Sequence, residues 1–226
     1  MRMLPEDWEP IYSEILEDLG YDASSDEAAA RMLKALMMNS CLVSDDDVTV
    51  HRKATVFGAA GCLEDDIKRR PPRGTLIASG SAVATLLELG VAPDIVVTDL
   101  DGEIRPQIEA SKAGAVTFML AHGDNTDLVQ RHAQSFLGPV VLTTHARPDN
   151  MVSNYGGFTD GDRAVCIARH FGAKDILLLG FDFDAPAPKE GSDRKVKAKK
   201  LWWARKIIFD HNYPGVTIEM PPRPPL

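Results

Sequence analysis

From Ala54 onward the chain repeats one pattern: a short apolar run, a cluster rich in Gly, Ser, Asp or His, then a segment able to form a helix. The runs are Ala54–Phe57, Thr75–Ala78, Ile95–Thr98, Ala115–Ala121, Val140–Thr144 and Ile176–Leu179. Strands that alternate with helices predict an α/β fold with a mostly parallel sheet covered by helices on both faces. Ligands of such open sheets bind outside the carboxyl ends of the strands. The clusters after the runs are Gly58–Gly61, Ser79-Gly80-Ser81, Asp99–Gly102, His122–Asn125, His145-Ala146-Arg147 and Gly180–Asp184. Parallel strands would bring all of them to one rim, which is where an active site is expected.

Before this pattern, Trp8, Ile11, Tyr12, Ile15, Leu16 and Leu19 recur at helical spacing, as do Met32, Leu33, Leu36 and Met37. They predict two amphipathic helices separated by a turn at Gly20–Asp26. The expected organisation is an N-terminal helical segment over 1–45 and an α/β catalytic domain over 46–226. The role of the first segment is open, with cover for the sheet or a subunit contact as the alternatives. The Pro-rich Met220–Leu226 reads as a tail.

Composition narrows the function. A net charge of −8 argues against a broad nucleic-acid footprint, which needs clustered Lys and Arg. The three cysteines, Cys41, Cys62 and Cys166, are odd in number and form no CxxC, so neither a disulfide framework nor a structural zinc site is expected. No run approaches the ~20 apolar residues that span a bilayer. The opening MRMLPEDWEP lacks a signal-peptide core. A cytoplasmic location without membrane partners is expected, with a homodimer as the default assembly.

Asp99 and Asp101 stand two apart, and in an extended chain such residues point to one side. Two carboxylates there repel unless a cation intervenes. Mg²⁺ suits them, because it takes a few carboxylates together with waters and substrate phosphates. The bland alternative is a solvated turn bent at Gly102. Thr159-Asp160-Gly161-Asp162 precedes a predicted helix over Arg163–Phe171. Thr159 is placed as N-cap and Asp162 as its capping partner, which leaves Asp160 to face the site. Gly156 and Gly157 would let phosphate approach the backbone and the helix N-terminus, or serve as a plain turn.

Gly58 and Gly61 bound a small-residue turn whose N–H groups suit an anion. The turn matches neither GxxxxGK[ST] nor GxGxxG, and Ser79-Gly80-Ser81 is a similarly weak signal. His122 and His145 follow apolar runs, so each serves either substrate contact or loop hydrogen bonding. Lys195, Lys197, Lys199 and Lys200 precede Leu201-Trp202-Trp203. A solvated helix face is the ordinary reading; Lys197 and Lys200 are the candidates for neutralising a triphosphate. Gly191-Ser192 would permit a mobile loop.

In this order, Val97–Gly102, Ala121–Asn125 and Gly156–Ala164 resemble the archaeal-type 6-hydroxymethyl-7,8-dihydropterin pyrophosphokinases. The resemblance runs from Ala54 to about Leu201. More distantly, Pro93-Asp94, Asp99/Asp101 and Thr159/Asp160 are similar to the series in thiamin pyrophosphokinase. Two turns depart from the family pattern. Gly58–Leu63 stands where GxGPSL is usual, and Ser79 stands where an Asp often precedes the Gly.

The resemblance implies a thiamin pyrophosphokinase-like catalytic domain. It also implies diphosphate transfer from ATP to the hydroxymethyl pterin, with release of AMP, in folate or methanopterin biosynthesis. It implies Mg²⁺ on Asp99 and Asp101, with Asp160 taking a second ion or the hydroxyl proton. ATP would meet Gly58, Gly61, Ser79, Gly80, Ser81, Gly156, Gly157, Thr159, Lys197 and Lys200. The pterin would meet His122, Asp124, Asn125 and His145.

The rivals are thiamin as acceptor, a haloacid-dehalogenase-type phosphatase, a nucleotide-sugar transferase using Asp99-Leu100-Asp101, and a non-catalytic nucleotide-binding module. The phosphatase motif usually opens its domain and carries Thr where Glu103 stands. The His122–Asn125 and Thr159–Asp162 pieces have no place in it.

Overall fold

The computed structural model describes residues 5–184 and 193–222. Gly191-Ser192 and the last four residues of the expected tail lie outside them. The first elements are α1 (Pro5–Leu19) and α2 (Ala23–Met37). They are followed by β1 (Lys53–Phe57), α3 (Leu63–Arg69), β2 (Thr75–Ser79), α4 (Val83–Glu88), β3 (Ile95–Thr98) and α5 (Ile104–Lys112). Then come β4 (Val116–Leu120), α6 (Thr126–His132), β5 (Val140–Thr143), β6 (Val152–Ser153) and α7 (Asp160–His170). The chain ends with β7 (Asp175–Leu179), α8 (Arg194–Arg205) and β8 (Thr217–Glu219). One eight-stranded sheet forms in the order β6-β5-β4-β3-β2-β1-β7-β8, and each of its pairings is parallel. The α/β expectation holds.

The apolar runs form strands because both of their faces are covered. In β7, Ile176 and Leu178 enter the core shared with Ala164, Val165 and Ala168 of α7. Their neighbours Leu177 and Leu179 pack with Leu63 of α3, Val83 and Leu86 of α4 and Ala110 of α5. Alternate side chains of a strand point to opposite faces, so burial on both sides requires a continuous apolar run. The edge strands β6 and β8 lack such runs and show no comparable signal in the sequence.

The two helical stripes pack as expected. Leu33 and Met37 of α2 are fully buried against Met119 and Leu142 of β4 and β5. Trp8, Ile11, Tyr12 and Ile15 of α1 pack on Cys166 of α7 and on Trp203 and Ile207. The turn between them is shorter than expected. Asp22 accepts the Ser24 N–H (3.1 Å) as N-cap, and α2 begins at Ala23. Helix α7 also begins three residues early, at Asp160, behind Thr159 as N-cap.

Helix α7 decides where the site lies. It lies across β1, β2 and β3, so its N-terminus meets the carboxyl ends of the central strands. At the switch in strand order, the ends of β1 and β7 approach closely. A Cβ on Gly180 would sit 2.3 Å from the Gly58 carbonyl oxygen and 2.9 Å from Leu63, and Gly180 has φ +72°. Gly180→Ala therefore combines left-handed strain with overpacking. It is expected to destabilise the fold by about 2–4 kcal/mol, read as a lower urea midpoint at constant m.

Candidate active site

The strand ends and the α7 N-terminus enclose a cavity of about 760 Å³, in the size range of small-ligand sites. Gly58, Ala59 and Ala60 line it after β1, and Ser79 and Ser81 after β2. Asp99, Asp101 and Gly102 line it after β3, His122 and Asp124 after β4, and His145 after β5. Thr159 and Asp160 enter from α7, and Lys197 and Lys200 from α8.

The Asp99–Gly102 turn differs from the extended geometry expected of it. Leu100 has φ +65°, the left-handed region, and its side chain is buried. The chain therefore turns between the two aspartates, and Asp99 Oδ1 accepts the Asp101 N–H at 3.1 Å. Gln107, fully buried on α5, holds the turn from below. Its Nε2 donates to the carbonyls of Asp101 (2.9 Å) and Glu103 (3.2 Å), and its Oε1 accepts from Thr98 (2.6 Å).

Asp160 and Asp162 separate as capping geometry requires. The Asp162 carboxylate turns back to accept the N–H groups of Phe158 (2.5 Å) and Thr159 (2.9 Å), and it is fully buried away from the cavity. Asp160 faces the cavity and pairs with Arg163 at 3.2 Å. Burial and then the Asp99 charge push its proton affinity well above the ordinary carboxylate value. Burial also acts to raise Asp99. The hydrogen bonding and charge of His122, the Asp101 N–H and Arg163 outweigh it and hold Asp99 below its ordinary value. Arg163, only 3% exposed, also donates to Thr143 Oγ1 at 2.6 Å. His145 is driven well below the usual histidine range by burial, with Arg163, His122 and Lys200 adding to the shift, so its ring is neutral.

Among the described residues, no three His, Cys, Asp or Glu side chains converge closely enough to hold a metal ion by themselves. Asp99 and Asp101, which line the cavity from one turn, are the pair that would hold a cation completed from outside the protein. Mg²⁺ fits such a set because it keeps waters and phosphate oxygens in its shell.

Several residues expected at the site do not line the cavity. Gly61 is exposed beyond its rim. Gly80 is buried against Thr98, whose Oγ1 would lie 2.6 Å from a Cβ there. Asn125 is buried and tethers two strand ends, donating to the carbonyls of Asp99 and Leu120 (2.8 Å each) and accepting from the His122 N–H (2.9 Å). Gly156 and Gly157 have φ +76° and +85°. A Cβ on Gly157 would meet Arg163 Cα at 2.6 Å, so this glycine admits the α7 backbone.

Sequence reasoning passed over Gln107, Arg163, and the cavity-lining Tyr21, Asp26, Phe158 and Asp182. Asp182 stood in a rim cluster, Phe158 and Arg163 within the Gly156–Ala164 piece, and Tyr21 and Asp26 within the Gly20–Asp26 turn, but none of them was given a role.

The sequence model of the 6-hydroxymethylpterin diphosphokinase MptE-like family matches residues 30–187. The chain belongs to this family. Relatives named 6-hydroxymethyl-7,8-dihydropterin pyrophosphokinase align along nearly its whole length. The Pyrococcus furiosus protein is 39% identical over 216 residues, covering 90% of this chain and 92% of the relative. The Methanothermobacter thermautotrophicus protein is 41% identical over 214 residues, covering 89% and 92%. The Methanocaldococcus jannaschii protein is 30% identical over 224 residues, covering 89% and 93%. The diphosphokinase segment thus takes in α2 from residue 30, every strand from β1 to β7, and the Asp99, Asp101 and Asp160 carboxylates. Among the described residues, no helix is long and apolar enough to cross a membrane.

Proposed function

We propose that this chain transfers a diphosphoryl group from ATP to the hydroxymethyl oxygen of 6-hydroxymethyl-7,8-dihydropterin, releasing AMP. The observation that carries the reading is the half-buried carboxylate group Asp99, Asp101 and Asp160 that lines the cavity at the centre of the rim. Small-residue turns after β1 and β2 flank it on one side, and His122, Asp124 and His145 after β4 and β5 flank it on the other. The family and its named relatives support the same chemistry.

In this reading the Gly58–Ala60 turn, Ser79, Ser81 and Thr159 receive the phosphates, and Lys197 offsets their charge. Asp99 and Asp101 would hold Mg²⁺, which when bound would supply charge neutralisation to the phosphates. His122 and Asp124 orient the pterin. Asp160, which faces the same cavity at the α7 N-terminus, accepts the proton of the attacking hydroxyl. The new bond joins that oxygen to the β-phosphorus. The bond to the α–β bridging oxygen breaks, and AMP leaves with its electron pair. Most of the rate comes from positioning and charge neutralisation.

The test is AMP release from ATP and Mg²⁺ with the hydroxymethyl pterin, with thiamin, and with no acceptor. AMP that appears only with the pterin, matched by pterin diphosphate, is the expected result. Thiamin-dependent AMP would change the acceptor. Inorganic phosphate without AMP would turn the reading to a phosphatase, and no turnover to a binding module.

A further inference from the structure

One wall of the cavity has no part in the chemistry above. Tyr21, on the turn between α1 and α2, lies with its ring 6.4 Å from that of Phe158 and 29° from parallel to it. Phe158, just before α7, stacks in turn on the buried His145 ring at 5.3 Å and 29°. All of these rings line the cavity. The Lys200 ammonium stands 5.4 Å from the Tyr21 centroid and 5.7 Å from that of Phe158. The Lys200 ammonium thus stands against the π surface of both rings, the place that a planar ring entering the cavity would take.

Hydrogen bonds fix the turn that carries Tyr21. The Tyr21 N–H donates to the Leu16 carbonyl at 3.0 Å. Asp22 caps α2, and Asp26 accepts from the Tyr12 hydroxyl (2.5 Å) and the Gly123 N–H (2.7 Å). That last bond ties the N-terminal helices to the loop that carries Asp124. By strand order the wall stands on the β4–β5 side of the carboxylates, opposite the small-residue turns of β1 and β2. A planar heterocycle stacked there would share the cavity with the Asp124 and His122 side chains. Its exocyclic hydroxymethyl would have the carboxylates within the same cavity.

We propose that Tyr21 and Phe158 form the stacking wall for the acceptor heterocycle, so that the N-terminal helix pair contributes a specificity-determining residue to the site. Naming that heterocycle a pterin rests on the function proposed above. Loss of one stacked ring is worth about 5- to 150-fold in affinity for a base-like ring.

The test compares Tyr21→Leu, Tyr21→Phe and Phe158→Leu by steady-state AMP release, with KM measured for each substrate. Equilibrium dialysis of 6-hydroxymethyl-7,8-dihydropterin without ATP gives binding alone, and thermal melting checks each fold. Tyr21→Leu and Phe158→Leu should raise the pterin KM and Kd about fivefold or more while the ATP KM stays within about twofold. Tyr21→Phe should behave as wild type, because the ring remains. An unchanged pterin Kd in both leucine variants overturns the proposal. So does a rise in the ATP KM in place of the pterin KM, which would put the nucleotide base on this wall. If the wild-type enzyme turns over no pterin, the function is what fails. Dialysis still decides the wall, since absent pterin binding, or binding that Tyr21→Leu leaves intact, rejects it.

Discussion

Asp99→Asn is expected to lower kcat by about 10³-fold or more, a loss of ~4 kcal/mol in transition-state stabilisation, while the melting temperature stays within a few degrees. The amide is isosteric and can keep the oxygen that accepts the Asp101 N–H, so the turn should survive. What disappears is the negative charge proposed to pair with Mg²⁺. Asp160→Asn should cost a similar factor for another reason, since it removes the proposed proton acceptor. The two variants separate these roles in a Mg²⁺ titration of AMP release. Asp99→Asn should shift the Mg²⁺ requirement upward, and Asp160→Asn should leave it in place. Turnover of Asp99→Asn within tenfold of wild type at saturating Mg²⁺ would remove Asp99 from the metal site.

Arg163→Met is expected to destabilise the fold by about 3–5 kcal/mol at neutral pH, the usual cost of leaving a buried charge without its partner. Arg163 lies within reach of Asp160 and lowers the proton affinity of both Asp160 and Asp99. Without it, Asp160 should bind its proton still more tightly in the folded state. The folded chain then holds more protons than the unfolded chain, at every pH between the ordinary carboxylate range and the raised Asp160 value. Stability in the variant should fall as pH rises through that window and recover as pH drops. Urea midpoints measured from pH 4 to 8 check both size and sign. A loss below about 1 kcal/mol, or one that grows toward acid, would show that Arg163 does not balance these carboxylates.

The sheet was legible in the sequence because strands buried on both faces have to be apolar throughout, as Ile176–Leu179 is. The rim followed from that, since parallel strands put their carboxyl ends together. β6 and β8 were not legible, because two- or three-residue edge strands take their form from a neighbour. The aspartates stood out because carboxylates after an apolar run are conspicuous. Tyr21 and Phe158 did not, for their meeting depends on how α1 and α2 settle across the sheet. Gly157 was read as an opening for phosphate or a plain turn, and its missing side chain makes room for the Arg163 backbone. Asn125 drew attention for the right loop but a different reason: its amide ties two strand ends together. The left-handed Leu100 runs against local preference. An aliphatic residue takes that conformation only where packing over-determines it.

Leu100 carries the strain of the aspartate turn, and its side chain is clasped among Leu33, Met37, Met119 and Leu142. The chemistry is therefore mortgaged to a patch of oil beneath it. Loosening that patch is expected to weaken one of the restraints on the turn, beside the Gln107 and Asn125 hydrogen bonds, and so to disturb the spacing of the two carboxylates before the fold is lost. For this fold, a substitution deep in the α2 interface belongs among the activity mutants, and a hunt for stabilising changes there is also a hunt for changes in rate.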